Sequence, residues 1–354
     1  MNEAVVTDPV REAAQCIWTG KTAAIADLPR IDPTTWEGAV QTDLIAFGAH
    51  ASLTAPAEAA APNPRVAVVM MAKDEADIIG RNLGWLYFIG VRRFVIADNA
   101  STDATAETIR AFRARARDAE LYLVDDPVVR HIQAEKTTGL TRFAISAWPD
   151  LAWIIPADSD EFLIPMAGLA RLDAVDPAID ALTIPKVIHF RHRVAPAEHD
   201  TVMGRMGYRS PLFCVPPKVV LRADLRLTIT QGNHHVVRLD GVRPRYSGGL
   251  SFGFCYREFP NRSADHYLRK IRNGGRAILA ANAALGRGVG GDHWLAAYER
   301  LQAVGEDEFR REFERDWVIG PRPGYIIDPF EGAPAGMPMT AKPRPATEAH
   351  VVAV

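Results

Sequence analysis

Asp158, Asp160 and Glu161 fall within four residues of the run Trp153-Ile154-Ile155-Pro156-Ala157-Asp158-Ser159-Asp160-Glu161-Phe162-Leu163. The apolar flanks have strand character, which places the acids at the end of a buried strand rather than on a solvated turn. On extended backbone Asp158 and Asp160 project to the same side. Buried carboxylates need a positive partner. A hard divalent cation, Mn2+ or Mg2+, that bridges to substrate phosphates would supply one. A third ligand could come from Gln231-Gly232-Asn233-His234-His235, just after a strand pattern. If His234 ligates, manganese is favoured by softness; otherwise it is an ordinary hydrogen-bonded histidine. His293, next to Asp292, is a further histidine to consider.

Phosphate chemistry would need cations. Arg262, Lys270 and Arg272 cluster at the start of a helical stretch, and Lys270 shares a face with Asn273. That face either approaches a phosphate or is simply solvated. Lys136 and Arg142, ahead of the acidic strand, are weaker candidates. An acceptor hydroxyl would need a carboxylate base. Asp292 is the first choice, because Gly286 to Gly291 before it is glycine-rich enough to move as a loop. Glu161 and Asp265 are the alternatives. Trp294 would serve as a sugar-stacking platform or as plain core.

The elements that must position these residues follow an α/β pattern. Val66 to Met71 reads as a buried parallel strand, followed by Ile79, Leu83 and Leu86 at helical spacing. Phe94 to Ala97 and Leu121 to Val124 read as further strands. Between and after them lie helices with Ile109, Phe112 and Ala116 on one face, and Leu140, Phe143 and Ala147 on another. Such alternation predicts a mainly parallel sheet with ligands beyond the carboxyl ends of its strands. After residue 180 strands dominate, at 181–191, 218–222 and 225–239. Helices are expected at 263–283 and 296–315.

These features divide the chain into an N-terminal extension and Pro/Ala-rich linker (1–64), an α/β half (65–180), a mixed β/α half of the same domain (181–330) and a disordered Pro/Ala-rich tail (331–354). With 41 basic and 43 acidic residues the net charge is −2, which gives no reason to expect a nucleic-acid partner. Cys16, Cys214 and Cys255 form neither a disulfide framework nor a C-x-x-C site, as in a reducing compartment. No apolar run reaches the ~18 residues of a membrane span. The expectation is a cytoplasmic protein without a transmembrane segment.

Lys73-Asp74-Glu75 after the first strand, Asp98-Asn99-Ala100-Ser101-Thr102-Asp103-Ala104-Thr105 after the second, and Asp158-Ser159-Asp160-Glu161-Phe162-Leu163 come in an order that resembles the family-2-like glycosyltransferases of GT-A fold. The nearest branch is the one with a D-x-D-E-F motif. The resemblance covers about residues 65 to 295 and implies a GT-A-like α/β layer, a UDP- or GDP-sugar donor, a glycan or glycoconjugate acceptor and a divalent metal. Carried over by position, Lys73 and Glu75 would lie near the nucleoside. Asp98, with Asn99 beside it, would meet the base or ribose, and Asp158 and Asp160 would hold metal and diphosphate. The chain departs from the commonest pattern by having Asn99 where a second acid stands, which bears on the choice of nucleotide. It also lacks the Gln-x-x-Arg-Trp element of processive synthases, so single transfer is the expectation, and the resemblance implies inversion, with 65–180 as the nucleotide-sugar-binding half and 181–330 as the acceptor side.

Two other readings compete. A nucleotidyltransferase or other sugar-nucleotide enzyme could share the acidic cluster, but Ala72-Lys73-Asp74-Glu75 contains no glycine-rich phosphate loop. The same absence disfavours a dehydrogenase. A non-catalytic nucleotide-sugar-binding module would keep the pocket without the reaction.

Overall fold

The computed structural model describes residues 53–193, 201–286, 291–320 and 325–334. Four parallel strands form its centre: β1 (Val66–Ala72), β2 (Arg93–Asp98), β3 (Glu120–Asp125) and β4 (Trp153–Ala157), in the order β3-β2-β1-β4. They are linked by α1 (Ile79–Phe88), α2 (Thr105–Arg115) and α3 (Gln133–Ala147). Alternation along β1 explains the layering. Val66, Val68 and Met70 face Ile79, Leu83 and Phe112 of α1 and α2, whereas Ala67 and Val69 face Leu140 and Phe143 of α3. Both faces are dry, so the strand reads as a continuous apolar run.

After β4 the chain turns into β5 (Glu161–Pro165), which leaves β4 and pairs antiparallel with the later β12 (Phe254–Glu258). The sheet continues beyond β4 through β8 (Cys214–Arg222), β6 (Ala181–His192) and β7 (Tyr208–Arg209). Residues from 181 onward thus extend the first sheet. The expected strand 225–239 is a small hairpin, β9 (Leu227–Ile229) with β10 (Val236–Arg238), folded around the Gln231–Asn233 turn. β11 (Tyr246–Gly248) pairs parallel with β6. Register slips between β6 and β8 at Ile184/Lys186, where Pro185 faces Pro216 and Pro217 and none of the three can donate to the ladder. Lys186 and Lys218 flank this irregularity, and bulges are common beside sites.

A helical unit is inserted between β12 and β13 (Val318–Ile319): α4 (Ala264–Leu285), α5 (Asp292–Val304) and α6 (Glu306–Asp316). It has an apolar centre of its own, with Leu268, Ile271, Leu301 and Phe309. The single helix expected at 296–315 is two, because Gly305 takes φ +82°, outside helical geometry and open to glycine. Ser263 caps α4, its hydroxyl accepting from the His266 N–H, and Gly286 ends it in left-handed conformation.

Both ends of the described chain are tied down. The stretch read as a linker donates Ala60 N–H to Phe88 O and Asn63 N–H to Gly90 O. β14 (Ile326–Ile327) pairs with β7, and Phe330 packs edge-on against Trp85 and Phe162. Residues 331–334 continue along the body, while 335–354 of the expected tail and residues 1–52 lie outside the described residues. No described helix is long and apolar enough to cross a membrane.

Candidate functional site

The acidic run forms a turn rather than extended strand. β4 stops at Ala157, Glu161 N–H closes onto Asp158 O at 3.1 Å, and β5 begins. Asn82 of α1 secures this turn from below: its buried amide donates to the carbonyls of Asp158, Ser159 and Glu161 at 3.2, 2.9 and 3.0 Å. Above the turn opens a cleft of about 520 Å³ at the carboxyl ends of β1, β2 and β4. Its walls include Lys73, Glu75, Asn99, Asp158, Asp160, Glu161, His234 and Lys270. These residues are spread from position 73 to position 270 of the sequence, and the fold gathers them around one cleft.

Every acid at the turn faces a lysine. Asp158 Oδ2 lies 2.6 Å from Lys218 Nζ, and its Oδ1 accepts from Gln133 at 3.0 Å and Asn233 at 3.2 Å. Asp160 Oδ2 is 2.9 Å from Lys270 Nζ and 3.9 Å from the Arg262 guanidinium. Burial pushes the Asp160 carboxyl up, but Lys270 and Arg262 outweigh it and hold the acid well below the usual carboxylate range. Glu161 Oε1 lies 3.1 Å from Lys218 and 3.5 Å from Lys186, while its Oε2 is buried without a partner. For Glu161 burial wins, reinforced by Asp158 and Glu258, and its carboxyl rises to about 8 despite Lys218. Lys186 bridges on to Glu258 at 2.9 Å, cross-strand neighbour of Glu161. The result is a chain of alternating acids and lysines, Asp158–Lys218–Glu161–Lys186–Glu258, running from the cleft floor into the sheet.

The other sequence candidates are placed as follows. Lys73 Nζ donates to Asn99 O and Ala100 O at 3.1 and 2.7 Å, joining the ends of β1 and β2. Asn99 donates to Asp126 and Val128, fixing the segment that follows β3. Asp98 is buried with an unpartnered Oδ1 and is not on the cleft wall. Glu75 takes an ion pair from Arg262, which also grips Asp77 with two bonds at 2.8 Å. Arg262 is thereby engaged with carboxylates beneath the wall, its side chain 1 % exposed, rather than open to a phosphate. Lys270 lies on the wall with its side chain 27 % exposed. Asp292 is exposed at the first position of α5, off the wall, although its neighbours Gly291, His293 and Trp294 line it. Of the glycine stretch before it, residues 287–290 lie outside the described residues.

His234 lines the cleft, and its Nδ1 sits 2.9 Å from Pro217 O. A carbonyl only accepts, so Nδ1 carries the proton and Nε2 keeps its lone pair. Burial and the Lys218 charge push the ring down to about 4, which keeps it neutral. Among the described residues no three His, Cys, Asp or Glu side chains converge as a ready metal cage. Asp158 and Asp160 both line the cleft, each with its carboxylate paired to a lysine.

Several contributors escape a reading of the sequence. Lys186 and Lys218 stand inside apolar strand runs, and a lone lysine there signals a buried acid. Asp74, at φ 56°, accepts from Thr102 N–H at 2.6 Å and from Asn273 Nδ2 at 2.8 Å, locking the Asn99–Asp103 loop to α4. Burial raises the Asp74 carboxyl, but these bonds and Lys73 bring it below its ordinary value.

The fold is α/β, with a parallel β3-β2-β1-β4 core continued by a mixed sheet, the architecture anticipated for a GT-A-like layer. No family model matches the sequence, and no curated protein matches it. Among solved structures, the mannosyltransferase PcManGT from Pyrobaculum calidifontis in complex with GDP-Man and Mn2+ is similar over 86% of this chain and 83% of that one, at 15% identity and TM-score 0.37. A mycobacterial protein is similar over 53% of this chain and 59% of its own, at 16% identity and TM-score 0.27. Likenesses at these scores carry no argument about activity.

Proposed function

We propose that this chain is a metal-dependent glycosyltransferase that moves a sugar from a UDP- or GDP-sugar to a glycan or glycoconjugate, with inversion. The observation that carries the reading is the Asp158-Ser159-Asp160-Glu161 turn, held at the end of β4 and opening into a cleft shared with the ends of β1 and β2. Ligands of open α/β sheets bind at such strand ends, and the D-x-D-E-F run on which the family resemblance rests follows one of them.

Charge balance supports a diphosphate with a cation. With Glu161 protonated, the cleft wall carries Asp74, Glu75, Asp158, Asp160 and Glu258 against Lys73, Arg130, Lys186, Lys218, Arg269 and Lys270, one positive charge in excess. A diphosphate entering the site brings more negative charge than that excess matches. A divalent cation held by Asp158 and Asp160 would neutralise the pyrophosphate leaving group. Lys270, next to Asp160 and 27 % exposed, is positioned to donate to the phosphate oxygens. Lys73 and Asn99, at the ends of β1 and β2, would border the nucleoside.

Thermal unfolding with UDP, GDP and their sugars, with and without Mn2+ or Mg2+, tests the reading on wild type and Asp160→Asn. A ligand at 100 times its dissociation constant stabilises by about 2.7 kcal/mol. The expected result is a metal-dependent shift with one nucleotide, lost in the variant. No shift with any nucleotide overturns the reading. Metal-dependent hydrolysis of the donor without acceptor separates an enzyme from a binding module, which would bind and leave the donor intact.

A further inference from the structure

The helical unit α4–α6 has its own apolar centre, yet one edge of it forms a wall of the cleft. Polar contacts seat that edge. Arg269 donates to Asp74 O at 3.1 Å, Lys270 meets Asp160, Asn273 meets Asp74, and His131 N–H donates to Ala277 O at 3.0 Å. Trp294 of α5 stands on the same wall, half-buried. Its place is built rather than incidental: a Cβ at Gly274 would lie 3.2 Å from its Cγ and Cδ2. The neighbouring Gly275 admits Tyr298 in the same way, so the glycine pair lets α5 lie close on α4. The Lys270 ammonium is 6.0 Å from the centre of the Trp294 ring.

An ammonium has three N–H donors. Lys270 directs donors to Asp160 at 2.9 Å and to Pro260 O at 3.4 Å, which leaves one for a ligand. Asp160 also has the Arg262 charge at 3.9 Å, so sharing Lys270 with a phosphate does not strand the carboxylate.

We propose that Lys270 and Trp294 form a phosphate-plus-ring subsite, in which the ammonium takes a phosphate oxygen and the indole face takes the ring joined to that phosphate. The inference rests on the donor-binding reading above and deepens it, because it assigns the ring contact to the helical unit rather than to the sheet. The ring is either the transferred sugar, stacked through its C–H face, or the nucleobase. Both chemistries suit an indole face, base stacking being the better measured.

Dissociation constants decide between them, measured by calorimetry for wild type, Trp294→Leu and Trp294→Phe. The ligands are nucleoside diphosphates, the matching nucleotide-sugars and sugar 1-phosphates, all with Mn2+. Leu should weaken binding about ten-fold or more, while Phe, which keeps a ring against Gly274, should stay within about three-fold. A loss confined to the sugar-bearing ligands identifies the sugar as the stacked ring. An equal loss for the bare diphosphate identifies the base. Unchanged affinities in Trp294→Leu, with wild type binding nucleotides, overturn the subsite and leave the donor reading standing. Binding of sugar 1-phosphates alone, lost in Leu, overturns the nucleotide reading and keeps the subsite. Wild type binding none of the ligands overturns both.

Discussion

Removing the amide of Asn82 should cost more than its distance from any ligand would imply. The side chain is fully buried, and its two N–H groups serve three carbonyls of the acidic turn. Carbonyls only accept, which fixes the amide with Nδ2 towards the turn. Asn82→Ala takes this donor from the Ser159 and Glu161 carbonyls, at about 1–3 kcal/mol apiece, while the Asp158 carbonyl keeps the Glu161 N–H. The sum is about 2–6 kcal/mol. Asn82→Asp keeps the shape but aims oxygen at oxygen, and should destabilise more than alanine. Urea unfolding monitored by tryptophan fluorescence measures both, provided the denaturant slopes agree. Either variant within about 0.5 kcal/mol of wild type, or Asp milder than Ala, would refute the claim that this amide holds the turn.

Gly275→Ala places a Cβ 2.2 Å from Tyr298 Cβ and 2.4 Å from its Cγ, atoms that cannot swing aside without moving α5. A loss of about 1–3 kcal/mol is expected by thermal unfolding. Asp328→Ala removes the acid that meets the buried Arg257 at 3.0 Å, and should cost about 3 kcal/mol in the same assay. His189, fully buried and stacked on Phe259, is pushed down from 6.5 to about 3 by burial and the Arg257 charge. Between those values the unfolded chain binds the proton and the folded one does not. His189 therefore gives a stability term that is whole above pH 6.5 and erodes as pH falls towards 3, by up to about 1.4 kcal/mol per unit. Urea unfolding across that range should show the slope in wild type and a shallower one in His189→Gln.

The parallel core was legible because each of its strands is an apolar run ended by polar residues, and its helices keep a 3.6-residue stripe. The acidic cluster was legible for the same reason: three acids set between apolar flanks sit at a strand end, where a solvated turn would have polar flanks. What the sequence concealed was pairing. Lys186 and Lys218 belong to strands 25 and 57 residues beyond Glu161, and only the sheet order brings them to one carboxylate. Arg262 reads as a phosphate ligand in the sequence because it clusters with Lys270 and Arg272 at the start of a helical stretch. Glu75 and Asp77 neutralise it from about 185 residues away, a contact no local pattern encodes.

The polar stripe of α4 shows why local reading stops short. His266, Arg269, Lys270, Asn273 and Ala277 recur at helical spacing, and from sequence alone they fit a solvated face as well as a ligand wall. Their partners decide the matter: Glu75, Asp74, Asp160 and His131 all lie on the polar rim of the sheet. A face solvated by bulk water would gain little from such pairs. Here Lys270 meets an acid that is 6 % exposed, where water competes weakly and geometry matters. The same contacts divide the cleft into two parts with different tolerance. The floor is built of backbone held by Asn82 and Lys218, so substitution there disturbs fold and site together. The α4–α5 wall carries its own apolar core, so a side chain such as Trp294 can change what the cleft accepts without unmaking the sheet beneath it.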